Sequence, residues 1–174
     1  DTALFNTGTG LFMITGLASG NVLVKPFCEG IEETVHLNVY TTPHGRNRII
    51  DIIGDLGGFA FKDYDSECEN SFANEKGDRY ITCLNADLTL SDPEYIVATP
   101  RGNWTGKTKG GLILSKDCGS TWERLPMPRG LSEFIDQKLD NIEKPNVDSG
   151  WTAISAGGKR IMWAVAGGKG FSNK

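Results

Sequence analysis

The carboxylates are the side chains that this sequence best places for chemistry, and Asp55 comes first among them. It lies in the run Gly-Asp-Leu-Gly-Gly-Phe at 54–59, between apolar stretches at 49–53 and 59–61. Three glycines around the acid would let a ligand or another part of the chain come close to the backbone. An acid held at a strand end between apolar walls has its pKa raised by desolvation, so it can stay protonated and act as a general acid. The alternative is that Asp55 only caps a turn.

The other polar groups offer less. Glu32 and Glu33 form a second acidic pair, for which a solvated loop or a carboxylate that binds backbone amides is the alternative. The chain has two histidines, His36 and His44, and no Cys-His or Ser-His-Asp set can be assembled around them, which argues against hydrolysis by a triad. The glycine-rich turn at 54–58 has no Lys and no helix pattern after it, so phosphate binding is not indicated.

A motif at 115–122 indicates the kind of fold that would hold the turn around Asp55 in place. It reads Ser-x-Asp-x-Gly-x-Thr-Trp, the pattern called an Asp box, which builds a tight β-hairpin. Asp117 can accept hydrogen bonds from turn amides, and Gly119 can adopt a positive φ. Trp122 is then expected to fold back as an apolar plug beneath the hairpin. Such hairpins occur in β-propeller blades and rarely contact a ligand themselves.

The motif belongs to a loose repeat. Gly-led apolar stretches end at Thr15, Lys62, Ser115 and Ser172, with spacings of 47, 53 and 57 residues. Four-stranded propeller blades repeat at about this period. The sequence therefore predicts an all-β fold in which residues 1–174 form one partial propeller domain of roughly three blades. Three blades cannot close a ring, so we expect a larger propeller that is cut at both ends of this chain.

Composition agrees with short strands and many turns. There are 22 glycines. Runs rich in β-branched and aromatic residues, each bounded by turn residues, predict strands at 22–24, 35–40, 48–53, 80–84, 95–99, 151–155 and 160–165. One short helix is predicted at 131–139.

Charge and cysteine content limit the partners and the compartment. The net charge is −4 without a basic stripe, which argues against nucleic acid, and no apolar run reaches the roughly 18 residues of a membrane span. The four cysteines lack the spacing of metal ligands and permit either two disulfides or four thiols. Because Cys68 and Cys83 flank a polar loop, we predict that they pair. The sequon at 103–105 favours a secreted protein.

The runs at 8–12, 30–34 and 54–59, followed by the Asp box, resemble the xyloglucanases of glycoside hydrolase family 74, in that family's order. The closing stretch at 151–163 is also similar, although Gly157 stands where the family has an aspartate. The resemblance covers nearly the whole chain, and the Gly-Asp-x-Gly-Gly-Phe motif is its most specific part.

The resemblance implies a concrete function. Members of that family have two seven-bladed propellers that face each other across a cleft, and they hydrolyse the β-1,4-glucan backbone of xyloglucan with inversion. The motif of the second propeller carries the general acid, which corresponds to Asp55. The base lies in the first propeller, so this chain would hold half of the catalytic pair and would need no metal or organic cofactor.

Substrate-binding residues follow from the same resemblance. Sugar rings stack on flat aromatic faces, and Trp104 lies in a polar, Gly-rich stretch that suits such a platform. Gly57 and Gly58 would let the substrate approach the turn. Trp122 and Trp163 are expected in the core, and Trp151 fits either role.

Two other functions stay open from the residues. A noncatalytic Asp-box propeller, such as a sortilin-like module that binds peptide or glycan, needs no acid in this turn. A sialidase needs an arginine cluster and a Tyr-Glu pair, which are not recognisable here. Whether the enzyme cleaves within chains or releases units from the reducing end depends on loops that the sequence does not identify.

Overall fold

The computed structural model describes residues 2–8, 10–27, 35–68, 70–102, 110–126 and 150–164. These ranges contain strands and turns without a helix, which confirms the all-β prediction. No described residue belongs to a helix long and apolar enough to cross a bilayer. The helix predicted at 131–139 and the repeat at 168–174 lie outside the described residues.

Thirteen strands in the described part of the chain form four antiparallel sheets. The first sheet contains β1 (Thr2–Asn6), β2 (Leu11–Thr15) and β3 (Leu23–Pro26). The second contains β4 (Val35–Thr41), β5 (Ile49–Gly54), β6 (Gly57–Phe61) and β7 (Asn70–Ser71). The third contains β8 (Ile81–Leu88), β9 (Ile96–Arg101), β10 (Ile113–Ser115) and β11 (Glu123–Arg124). The fourth contains β12 (Trp151–Ile154) and β13 (Ile161–Ala164).

Strand β5 shows why the sheets stack. All of its residues are buried, and alternate side chains point to opposite faces of the sheet. Ile50 and Ile52 join an apolar cluster with residues of the third sheet, including Ile96 and Ile113. Ile49 and Ile53 join a second cluster that includes Leu4 of the first sheet. A sheet that is apolar on both faces is stable only between two neighbours, as in a propeller.

Strand order and contacts agree with propeller blades. β2, β6 and β10 are equivalent strands, because the repeat anchors Thr15, Lys62 and Ser115 fall at or just after their ends. The strand before each of them contacts the first strand of the following sheet, in the pairs β1–β4, β5–β8 and β9–β12. First strands of neighbouring sheets also touch, in the pairs β4–β8 and β8–β12. Each sheet is thus a meander that packs face to face on the next.

Side chains join neighbouring sheets where no ladder exists. Asn85 Oδ1 accepts a hydrogen bond from the backbone N–H of Thr152 at 2.8 Å. Asp87 Oδ2 accepts one from the N–H of Ile154, also at 2.8 Å. Both acceptors lie on β8 and both donors on β12, so side-chain oxygens of the third sheet satisfy two backbone donors of the fourth.

The hairpin at 115–122 has the geometry that its sequence predicts. Asp117 accepts hydrogen bonds from the backbone N–H and the hydroxyl of Thr121, at 2.8 and 2.7 Å. Gly119 has a φ of 85°. Trp122 is 3% exposed, and its indole N–H donates to the Gly119 carbonyl at 3.1 Å. The ring of Trp122 packs against Phe72, with centroids 4.3 Å apart, and so anchors the hairpin in the core between the second and third sheets.

The predicted disulfide between Cys68 and Cys83 is wrong in this structure, where both residues are free thiols. Cys68 packs with Ile49 and Ile53, whereas Cys83 belongs to the cluster of Ile50 and Ile52. Because these isoleucines alternate along β5, the second sheet lies between the two sulfurs. The polar loop between the cysteines brings them close in sequence and not in space.

Candidate active site

Asp55 lies at an exposed tip between two buried strands. β5 ends at Gly54 and β6 begins at Gly57, so only Asp55 and Leu56 form the connection. The backbone N–H of Leu56 donates to the Gly54 carbonyl at 2.8 Å, and that of Gly58 donates to the Leu56 carbonyl at 3.0 Å. Asp55 has a φ of 66° and Gly57 a φ of 79°. Two successive three-residue turns thus carry the acid.

The conformation of Asp55 is costly for a residue with a Cβ atom. Positive φ is uncommon for residues other than glycine, and turns of this type are strained. Such strain persists only where the surroundings hold it, and it concentrates at functional sites. The geometry of the tip therefore adds a physical reason, independent of the sequence pattern, to consider Asp55 functional.

Gly57 and Gly58 are buried, and their close neighbours belong to the chain itself. A Cβ atom on Gly58 would lie 2.6 Å from the Asp51 carbonyl oxygen and 3.0 Å from the Phe72 ring. One on Gly57 would lie 3.0 Å from the Tyr80 carbonyl oxygen. The close approaches at these glycines that the structure shows are made by the chain itself, and their contact with substrate stays a prediction. Their contribution to the site is to shape the turn that presents Asp55.

A hydrogen bond from the neighbouring sheet holds Asp55. Its backbone N–H donates to Thr82 Oγ1, at the start of β8, at 3.1 Å. No described residue forms a hydrogen bond or ion pair with the Asp55 carboxylate, which is exposed. The apolar walls expected from the sequence are therefore not present around this carboxylate within the described ranges.

The tip shares one edge of the sheets with several strand ends, and we call this the Asp55 edge. Val35 at the start of β4 pairs with Gly54, and Arg101 at the end of β9 pairs with Ile81. Strands alternate in direction, so the β1–β2 and β5–β6 connections lie at this same edge. Trp104, Glu32 and Glu33 lie outside the described residues, and their roles stay predictions.

A buried pair that the sequence interpretation did not identify lies behind this edge. His36 Nδ1 and Asp51 Oδ2 are 2.7 Å apart, and both side chains are inaccessible. Burial raises the pKa of Asp51, against the opposing effect of the hydrogen bond to His36. The signal was a lone acid inside an isoleucine run, and its partner lies on the neighbouring strand β4, where only the side-chain contact in the structure identifies it. Asp51 lies between Ile49 and Ile53 on one face of β5, which fits a structural pair, whereas His44 is exposed on a turn.

The described tryptophans fall into two groups, two that pack in apolar clusters and one that is exposed. Trp122 is buried, and Trp163 packs on the apolar cluster between the third and fourth sheets, as predicted for core residues. Trp151 is 67% exposed. Since Thr152 pairs with Trp163, Trp151 lies on the opposite face of the fourth sheet, turned away from the third. Among the residues that the structure describes, no group of three or more His, Cys, Asp or Glu could hold a metal ion.

Face-to-face antiparallel meanders with this blade period define the chain as part of a β-propeller. No protein-family model matches it. It is 26% identical over 172 residues to the oligoxyloglucan-reducing end-specific xyloglucanase of Emericella nidulans, a match that spans 95% of this chain and 19% of that protein.

Two solved structures share the fold. The GH74 xyloglucanase from Xanthomonas campestris superposes with a TM-score of 0.55 at 23% identity, over 96% of this chain and 22% of that one. An ancestral GH74 enzyme superposes with a TM-score of 0.61 at 14% identity, over 98% of this chain and 22% of that one. The resemblance to this family is thereby confirmed, and the chain spans about one fifth of the length of these relatives.

Proposed function

We propose that this chain is part of a glycoside hydrolase that cleaves the β-1,4-glucan backbone of xyloglucan with inversion, and that Asp55 is its general acid. The observation that carries the proposal is the exposed, strained tip at Asp55, with a φ of 66°, inside the family's most specific motif. The similarity to a named xyloglucanase over 95% of the chain supports the substrate. The hairpin at 115–122 is, in this interpretation, an Asp box of one blade.

The mechanism is a single displacement. The protonated Asp55 carboxyl donates its proton to the glycosidic oxygen as the bond to the anomeric carbon breaks. A carboxylate of the other propeller removes a proton from a water molecule that attacks the opposite face of the sugar. Inverting pairs are roughly 6.5–9.5 Å apart, which leaves space for that water.

The test is Asp55→Asn in the full-length protein. Asparagine keeps the size of the side chain and tolerates positive φ, but it cannot donate an acidic proton. We expect kcat on xyloglucan to fall by about 10²–10⁴-fold, the usual contribution of a general acid. Release of reducing ends measures the rate, and circular dichroism checks that the sheets remain folded.

Asp92→Asn is the matched control, because Asp92 is an exposed turn aspartate after β8, at the opposite edge of the sheets. It should leave the rate unchanged. An Asp55→Asn enzyme within a few-fold of wild type would return Asp55 to a turn-capping role and make Glu32 and Glu33 the next candidates. The sizes of the products separate cleavage within chains from release at the reducing end.

We also propose that the protein is secreted. A polymeric glucan is available outside the cell, and the sequon at 103–105 provides an acceptor for N-glycosylation. A mobility shift of the secreted protein on enzymatic deglycosylation, lost in Asn103→Gln, supports this localisation. A protein that accumulates only inside the cell contradicts it.

A further inference from the structure

We infer that Thr82 is a positioning residue for the general acid, an inference that rests on the function proposed for Asp55. Thr82 Oγ1 accepts the hydrogen bond of the Asp55 backbone N–H at 3.1 Å. The two residues are 27 positions apart and lie in different sheets. The acid is thus held by a side chain of the neighbouring sheet as well as by its own hairpin.

The turn cannot supply this hydrogen bond itself. Val35 pairs with Gly54, and Ile53 pairs with Gly57, so Asp55 falls beyond the last rung of both ladders. The two short turn bonds use the N–H groups of Leu56 and Gly58. The backbone N–H of Asp55 therefore has no acceptor within the turn, and the Thr82 hydroxyl oxygen accepts its hydrogen bond.

The rest of the turn is fixed on the same segment that carries Thr82. Gly57 packs on the Tyr80 carbonyl, and Tyr80 is 1% exposed. The backbone N–H of Tyr80 donates to the Phe72 carbonyl at 3.0 Å, and that of Phe72 donates to the Gly58 carbonyl at 2.9 Å. The segment from Tyr80 to Thr82 therefore supports the tip from both sides of Asp55. Thr82 controls the Asp55 peptide, from which the Cα–Cβ bond and hence the carboxyl direction follow.

The hydrogen bond to Thr82 matters because Asp55 would otherwise have access to backbone conformations of lower energy than one with a positive φ. Without the Thr82 acceptor, the exposed N–H can bond to water, and the peptide can rotate toward an unstrained conformation. The carboxyl would then be displaced from the glycosidic oxygen, and a displacement of about 1 Å can cost on the order of 10²-fold in rate. Proton donation should suffer more than substrate binding.

The experiment compares Thr82→Val and Thr82→Ser in the full-length enzyme. Valine keeps the β-branched shape and removes the acceptor, whereas serine keeps the acceptor. On a xyloglucan oligosaccharide we expect Thr82→Val to lower kcat at least tenfold with KM within about twofold, and Thr82→Ser to recover kcat to within about threefold of wild type. Thr41→Val is the matched control, since Thr41 is an exposed strand threonine at the opposite end of β4.

A second substrate separates positioning from general damage. An aryl glycoside of the same oligosaccharide, with a good phenolate leaving group, needs little protonation of the departing oxygen. Thr82→Val should therefore lower kcat less than threefold on the aryl substrate. In an Asp55→Asn background, Thr82→Val should cause no further loss on the natural substrate, because the group that it positions is already gone.

The outcomes are distinct. Equal losses of Thr82→Val on both substrates, a kcat within twofold of wild type on the natural one, or a failure of serine to recover activity would each overturn the inference. Failure of the proposed function shows differently, as an Asp55→Asn enzyme that stays active on the natural substrate.

Discussion

The glycine pair beside Asp55 shows how single atoms set the shape of the candidate site. Gly58 is buried, and a Cβ atom there would lie 2.6 Å from the Asp51 carbonyl oxygen, closer than Cβ atoms approach backbone in proteins, and 3.0 Å from the Phe72 ring. Phe72 in turn packs on Trp122, so the glycine is in contact with the core between two sheets. A methyl group at this position must move the strand or the ring.

We predict that Gly58→Ala lowers the free energy of unfolding by about 1–3 kcal/mol, the usual cost of overpacking a core. The midpoint of chemical denaturation measures the change. Gly157→Ala is its control, because nothing lies within 4 Å of a Cβ atom there and its φ is not positive. That substitution should stay within about 0.5 kcal/mol of wild type. Equal stabilities of the two variants would contradict the packing described for Gly58.

The second sheet separates Cys68 from Cys83, and burial on either side of it sets the pKa and hence the reactivity of each thiol. Cys83 is fully buried, and burial raises the pKa of its thiol to about 12. Cys68 is half-buried, and burial raises its pKa to about 11. Both groups are neutral thiols near pH 7, and the thiolate is the reactive form.

We therefore predict slow alkylation of Cys68 and Cys83 by iodoacetamide in the folded protein and fast alkylation after denaturation. Peptide mapping by mass spectrometry under nonreducing conditions gives the occupancy of each site. Cys28, which lies outside the described residues, is reported separately by the same map. Recovery of a peptide pair joined through Cys68 and Cys83 would refute the separation of these thiols by the sheet.

At this scale the sequence predicts strands well and contacts between sheets poorly. The runs at 35–40 and 48–53 gave β4 and β5 because β-branched residues bounded by turn residues have few other solutions. The turn at Asp55 was equally visible. Thr82 was not, because it is an ordinary strand threonine whose partner lies in another sheet. The cysteine pairing failed for the same reason, since sequence proximity does not show that a sheet separates two side chains.

The whole molecule presents apolar surface on both sides of the stack of sheets. Phe5 and Val24 on the outer face of the first sheet are exposed, as are Trp151 and Met162 on the outer face of the fourth. In a closed propeller, further blades cover such faces. The proposed mechanism also requires a base and a second wall of the cleft from the remainder of the protein.

We predict that the 174-residue chain alone releases no measurable reducing ends from xyloglucan, while the full-length protein does. The lone acid leaves the attacking water without a base. The comparison uses equal molar amounts and the same reducing-end assay, with circular dichroism to check that the isolated chain retains strands. Turnover by the isolated chain above about 1% of the full-length rate would show that both carboxylates lie within it.

The acceptors on β8 have a consequence for how such proteins diversify. Asn85 and Asp87 complete the backbone bonding of Thr152 and Ile154 in the following sheet. A repeat duplicated or transplanted by recombination would arrive without the two oxygens that its first strand requires, unless the recipient repeat already carried them. The stretch of sequence that would keep all of its backbone hydrogen bonds after recombination is therefore shifted along the chain relative to the sheet. It runs from the acceptors of one repeat to the donors of the next.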